Sequence, residues 1–174
     1  MSKIFRFIII RLIGIIENIT YFPFINIIKL RTYLYGLVLK KIGKNCAISE
    51  NVKINFPQNL SLGSRVSIHR GVYINALSAI NIGDNSGIAN NSTLSGGEHI
   101  HKSTNIPMKE QGMAFEPIYI GKDVLIANNC VITAGSTIND GCYVGALTLV
   151  NGNIPKFSVL IGNPCRILYN RKKI

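Results

Sequence analysis

Three histidines are the residues of this chain best suited to chemistry: His69, His99 and His101. An imidazole titrates near neutral pH, so it can take a proton from an attacking hydroxyl and later release it. His99 ends the run Leu94-Ser95-Gly96-Gly97-Glu98-His99 and opens a stretch, residues 98–117, that interrupts an otherwise regular pattern. A long excursion from a compact repeat is more often functional than accidental. Glu98 is a poor partner for His99, because neighbours in extended backbone point to opposite sides. His101 reads as a solvated loop residue. The four cysteines, Cys46, Cys130, Cys142 and Cys165, are widely spaced, form no C-x-x-C and share no ligand spacing with the histidines, so they read as reduced, buried thiols and no metal is expected.

The pattern that must position these groups has a period of six. Aliphatic residues stand at Ile42, Ile48, Ile54 and Leu60, then at Leu62, Ile68, Ile74 and Ile80, then at Ile82, Ile88 and Leu94. Beyond the interruption the series resumes at Ile120, Ile126, Ile132, Ile138, Val144 and Val150. Six is neither the helical period nor strand alternation, so the chain turns a corner once per repeat. The following position is small or polar (Gly43, Ser49, Gly63, Gly83, Ala89, Gly121, Ala127, Gly145), and the fourth after the aliphatic is small or β-branched (Val52, Val66, Ser86, Ser92, Cys130, Cys142). This predicts triangular coils, three short strands per turn, each sending one aliphatic to the axis. Asn90-Asn91 and Asn128-Asn129 suit the corners, since Asn tolerates left-handed backbone angles. Leu62-Gly63 and Ile82-Gly83 are 20 residues apart, so some coils run two residues longer than three hexads.

These hexads, with Gly121-Lys122-Asp123-Val124-Leu125-Ile126-Ala127, Val144-Gly145-Ala146 and Gly162-Asn163-Pro164-Cys165-Arg166-Ile167, resemble the hexapeptide-repeat acyltransferases over residues 42–167. The sugar O-acetyltransferases of that family, those for galactosides and maltose, align without gaps from Gly63 to His99. The resemblance implies an all-β fold, a left-handed parallel β-helix, usually a homotrimer, with acetyl-CoA as co-substrate in sites between subunits. It implies His99 as catalytic base for direct transfer to a sugar hydroxyl, without an acyl-enzyme. It further implies His69 and Asn75 as acceptor contacts, Ala127, Gly145 and Ala146 as corners along the pantetheine arm, and Arg166 as a phosphate partner. Plainer readings stand beside these. His69 can be a surface residue on a corner, the corner residues are what the repeat demands anyway, and residues 171–173 can be a solvated basic tail. The chain departs from the sugar enzymes at Leu77, where they carry an aspartate, at Leu125, where they carry a tryptophan, and at Asn151-Gly152, where they carry Thr-Lys.

Charge and hydropathy bound the rest. The 174 residues carry a net charge of +11 with 47% hydrophobic residues, which excludes an intrinsically disordered chain. The charge sits at the ends. Residues 1–41 hold seven basic side chains against Glu17, residues 166–174 hold four, and residues 42–165 hold eight basic and seven acidic ones. A near-neutral body with basic ends fits an anionic membrane surface or an anionic cofactor better than a nucleic acid, for which no motif is present. The N-terminus begins like a secretory signal, but Arg11 interrupts the apolar run and no small-x-small site follows, so it is read as retained in a cytoplasmic protein. Pro23 leaves no uncharged run long enough to span a bilayer. On a helical wheel Lys3, Arg6, Arg11, Gly14, Glu17 and Asn18 form one arc, with Phe7 and Ile10 misplaced in it, while Ile4, Phe5, Ile8, Leu12, Ile15, Ile16 and Ile19 fill the remainder. Such a helix can lie in a membrane interface or cover part of the body. The expected organisation is a basic apolar helical segment (1–41), the β-helix (42–160) with loop 98–117, and a basic tail (161–174).

Taken together, these features predict an acetyl-CoA-dependent O-acetyltransferase acting on a saccharide or glycolipid precursor of a bacterial surface polysaccharide. Two other readings share the fold. One is a metalloenzyme like the γ-carbonic anhydrases, for which His99 and His101 are too closely spaced. The other is a scaffold subunit without activity, for which the replacements at Leu77 and Leu125 speak.

Overall fold

The computed structural model describes residues 3–17 and 27–173, so Asn18, Ile19 and Pro23 lie outside the described residues. Among these, short strands stack into a three-sided parallel β-helix whose faces hold six, seven and five strands. The register stacks the predicted aliphatics, coil on coil, into one ladder per face. On the first face Ile42, Leu62, Ile82, Ile120, Ile138 and Ile154 lie one above another. On the second face the series is Ile48, Ile68, Ile88, Ile126, Val144 and Leu160. The third face carries Ile54, Ile74, Leu94, Ile132 and Val150. Most of these side chains are fully buried, and each contributes about 1.5–3 kcal/mol relative to an exposed one.

The 20-residue spacing of the early coils has a simple cause. Their first-face strands Leu60–Leu62 and Ile80–Ile82 carry three residues and bury an aliphatic at both ends, whereas Ile120 and Ile138 follow at 18. Inside the corners, small polar residues replace aliphatics without leaving polar atoms stranded. Ser92 Oγ donates to the Ala127 carbonyl at 2.9 Å and accepts the Cys130 N–H at 3.1 Å, and Ser86 makes the same pair of bonds to Gly121 and Val124. Cys130 and Cys142 take equivalent places, with Sγ against the carbonyls of Gly145 and Pro155. Burial raises both thiols above the ordinary cysteine range, which keeps them protonated and unreactive. In the two Asn-Asn corners it is the second residue that turns left-handed, Asn91 at φ 58° and Asn129 at φ 58°, while Asn128 Oδ1 accepts the Asn90 N–H at 3.0 Å.

Both ends of the stack are covered. Helix α1 (Lys3–Glu17) packs on α2 (Ile27–Gly36), and α2 packs on the first coil. Thr32 Oγ1 accepts the Ile48 N–H at 2.9 Å, a donor that faces away from the second coil, and Tyr35 Oη donates to the Val52 carbonyl at 2.9 Å. At the far end Arg166–Asn170 folds back antiparallel on Ser158–Ile161. Arg171 ties this return to the body through the Gly141 carbonyl, 2.7 Å, and Asp123, 3.6 Å. Two features of α1 are worth recording. Its packed stripe is narrow, Ile9 and Ile13, and the broad apolar arc around Ile4, Ile8 and Ile15 stays outside. None of the described helices is long and apolar enough to cross a membrane.

Candidate active site

His99 is held by a hairpin. After Leu94 on the third face the chain leaves the stack, and Gly97–His99 pairs antiparallel with Met113–Phe115, His99 opposite Met113. The two glycines at the hinge are closely surrounded. A Cβ on Gly97 would stand 3.0 Å from Leu77 Cδ1 and from Phe115 Cδ1, and one on Gly96 would stand 3.1 Å from the Ser78 nitrogen. Ser95 Oγ closes the turn onto the Gly97 carbonyl at 2.9 Å. Beyond the hairpin, Gln111 brackets the loop by accepting the Ser103 N–H (3.0 Å) and donating to the carbonyls of Ser103 (2.8 Å) and Ile106 (3.1 Å). Nothing in the hexad pattern singles out Gln111, because its role is local to the excursion.

The His99 side chain is exposed and has no hydrogen-bond partner among the described residues, so its imidazole is free to meet a substrate. His101 Nδ1 lies 3.2 Å from the His99 carbonyl oxygen and donates to it, which anchors the strand rather than the ring. Glu98 projects to the other side of the hairpin, as alternation requires. There it lines a cleft of about 470 Å³ with Glu116, Thr133, Gly135, Asn151 and Gly152. Glu116 was not evident from the repeat, since it precedes the resumed ladder. Thr133 was within reach of it, because it follows Ile132 as Asn75 follows Ile74.

The other candidates fall on two different edges of the prism. Between the second and third faces, successive N–H to carbonyl bonds stack His69, Ala89, Ala127 and Gly145 in one ridge, each donating to the next coil at 2.8 to 2.9 Å. Arg166 pairs with Ile161, which continues this ridge one coil above Gly145. At roughly 4.8 Å per strand, the five spacings between His69 and Arg166 put them about 24 Å apart along the axis. Gly145 has a structural reason to be glycine, because a Cβ there would stand 2.6 Å from Ile161 Cγ2. Ala146 follows it on the surface. Asn75 belongs to the opposite edge of the third face. Its carbonyl accepts the Gly96 N–H at 2.9 Å directly beneath the hairpin, and its Oδ1 is buried without a partner among the described residues. The chain thus brings Asn75 to the His99 hairpin and brings His69 to the ridge of Ala127 and Gly145, with the width of the third face between the two groups. Leu77 packs on the hinge at Gly97, and Leu125 lies outside on the second face with Tyr143, Val159 and Tyr169. Among the described residues no three His, Cys, Asp or Glu side chains gather.

A triangular parallel β-helix with a histidine-bearing hairpin defines a class, the hexapeptide-repeat transferases. A family model described as bacterial transferase hexapeptide (six repeats) matches residues 117–152. The chain is 35% identical over 141 residues to the colanic acid biosynthesis acetyltransferase WcaF of Escherichia coli K12, covering 81% of this chain and 75% of that protein. It is 36% identical over 129 residues to the galactoside O-acetyltransferase of the same organism, covering 70% and 62%. A galactoside acetyltransferase solved in complex with coenzyme A superposes with a TM-score of 0.82 at 28% identity, covering 95% of this chain and 80% of that one. The chain belongs to the hexapeptide-repeat acetyltransferases.

Proposed function

We propose that this protein moves the acetyl group of acetyl-CoA to a hydroxyl of a saccharide, on a precursor of a bacterial surface polysaccharide. The observation that carries the reading is the unencumbered His99 imidazole on a hairpin braced by glycines and Ser95, in a chain whose relatives are sugar acetyltransferases. His99 takes the proton of the acceptor hydroxyl as its oxygen attacks the thioester carbonyl. A backbone N–H holds the tetrahedral oxyanion. Collapse breaks the carbon–sulfur bond, and the imidazolium returns its proton to the departing thiolate, so that ester and thiol leave with the histidine neutral.

The coenzyme lies along the ridge of Ala127, Gly145 and Ala146 with its phosphates toward Arg166, and His69 and Asn75 bind the acceptor. The separation of His99 from this ridge within one chain supports a site shared between neighbouring copies, hence a homotrimer. The reading puts the work in the cytoplasm, where acetyl-CoA is made, and peripheral to the membrane on which such precursors are assembled. Calorimetric titration with acetyl-CoA at low and moderate salt, followed by thiol release with a panel of saccharides, tests it. Saturable binding at one site per chain, weakened by salt, with acceptor-dependent thiol release, is expected. A folded trimer that binds no acetyl-CoA would overturn it in favour of a scaffold.

A further inference from the structure

We propose that the outer face of α1 docks on an anionic lipid bilayer. This deepens the peripheral location given above and is independent of the catalytic assignment. Among its described side chains, Ile9 and Ile13 are the buried ones, with Arg6 half-buried beside them. Opposite that stripe, Ile4 is 73% exposed, Phe7 60%, Ile15 58% and Ile8 49%, with Ile10 and Leu12 on the flanks. A contiguous apolar surface of this size on a soluble domain marks a site of association. Its chemistry selects the partner. Among the described side chains Arg11 is the charged one set into the face, and its guanidinium lies over the Phe7 ring at 5.3 Å, a cation held at an apolar surface as an interfacial residue is.

The surroundings are cationic as well. Residues 1–56 carry nine basic side chains against Glu17 and Glu50. A second copy of this face would bring those like charges together, whereas anionic headgroups neutralise them while the acyl boundary takes the isoleucines. The position of α1 also fits. It packs on α2, which covers the first coil, and the His99 hairpin leaves the third coil, two rises further on. The helix and the hairpin therefore belong to the same half of the stack.

The test is flotation of the full-length protein with vesicles of phosphatidylcholine, with and without phosphatidylglycerol. The expected result is binding to the phosphatidylglycerol vesicles that weakens with salt. It should fall by more than about tenfold in the triple variant Ile4→Ser, Phe7→Ser, Ile15→Ser and by a smaller factor in Arg11→Glu, with unchanged melting temperature and unchanged turnover of a soluble acceptor. Wild-type protein that stays with the unbound fraction at low salt would overturn the proposal. So would a triple variant that binds as tightly, or a wild-type assembly larger than the variant's, which would make a second copy the occupant. Wild-type protein that binds the vesicles yet turns over no acceptor would instead count against the catalytic reading alone.

Discussion

The isoleucines of the coils and those of α1 are the same side chain in opposite surroundings. Ile68, Ile88 and Ile132 are fully buried, each in a strand paired with the coils on either side, whereas Ile4, Ile8 and Ile15 face outward from a helix that touches the body along one narrow stripe. In the stack, register dictates burial, because a strand that pairs must send its aliphatic inward. On α1, burial depends on which stripe the neighbouring element accepts, and the helix geometry is indifferent to that choice. The histidine hairpin sides with α1. It is an excursion built on a rigid body, and what it exposes is left free for a substrate.

That contrast can be broken at several points. The largest effect is expected at the hairpin. His99→Ala should lower kcat by about 10²- to 10⁴-fold while leaving acetyl-CoA affinity and melting temperature nearly unchanged, read by single-turnover kinetics beside calorimetry. Retained turnover would remove His99 from the general-base role. Next in size is the stack, where Ile88→Ala should cost about 2–5 kcal/mol in denaturant unfolding. The matched change Ile15→Ala on α1 should stay within about 0.5 kcal/mol, and equal costs at the two sites would erase the distinction drawn here. Smaller again is the junction between the two regions. Tyr35→Phe removes the hydroxyl that satisfies the Val52 carbonyl and should cost about 1–3 kcal/mol, with earlier hydrogen exchange in the first coil than in later ones.

The smallest effect concerns pH. Asp84 and Asp140 are held below the ordinary aspartate range, foremost by accepting the backbone N–H of Ser64 and of Lys122, and next by the side chains of Lys122 and Lys156 respectively. Their stabilisation is therefore complete above the unfolded aspartate value and is lost as pH falls through the lower folded values. The double variant Asp84→Asn, Asp140→Asn should flatten the acid limb of the melting curve by lowering the neutral plateau slightly toward the acid value, the drop being small because both carboxylates are exposed. An acid limb identical to that of wild type would assign the loss to other carboxylates.

How much of this could be read in advance differed between the same two regions. The ladders, the longer early coils, the small corner residues and the position of the excursion were all legible, because each follows from a period that backbone pairing enforces. The separation of Glu98 from His99 was legible too, from strand alternation alone. The stripe Ile9–Ile13 was not, since a wheel ranks faces by polarity and the first coil and α2 offer contact to a strip next to the polar arc. Nor was the division of candidates between two edges, with Asn75 beneath the hairpin and His69 on the ridge of Ala127 and Gly145. It requires knowing which small residue turns which corner. Residues 166–170 lie within the segment expected as a basic tail yet pair with Ser158–Ile161, a contact that depends on the turn at 162–165 and has no periodic signature.

Parallel strands stacked in register, each coil repeating the one below, are also the construction of a fibre. Nothing in the ladders themselves says where such a fibre should stop, because any coil could template the next. The stopping is done by residues outside the period. At one end Thr32 and Tyr35 occupy bonding groups of the first coil, and at the other Arg166–Asn170 lies antiparallel where a further coil would have to lie parallel. The two covers turn an arrangement prone to open-ended growth into a particle of counted length. Lineages that lengthen or shorten this fold by whole coils can therefore do so without redesigning either end.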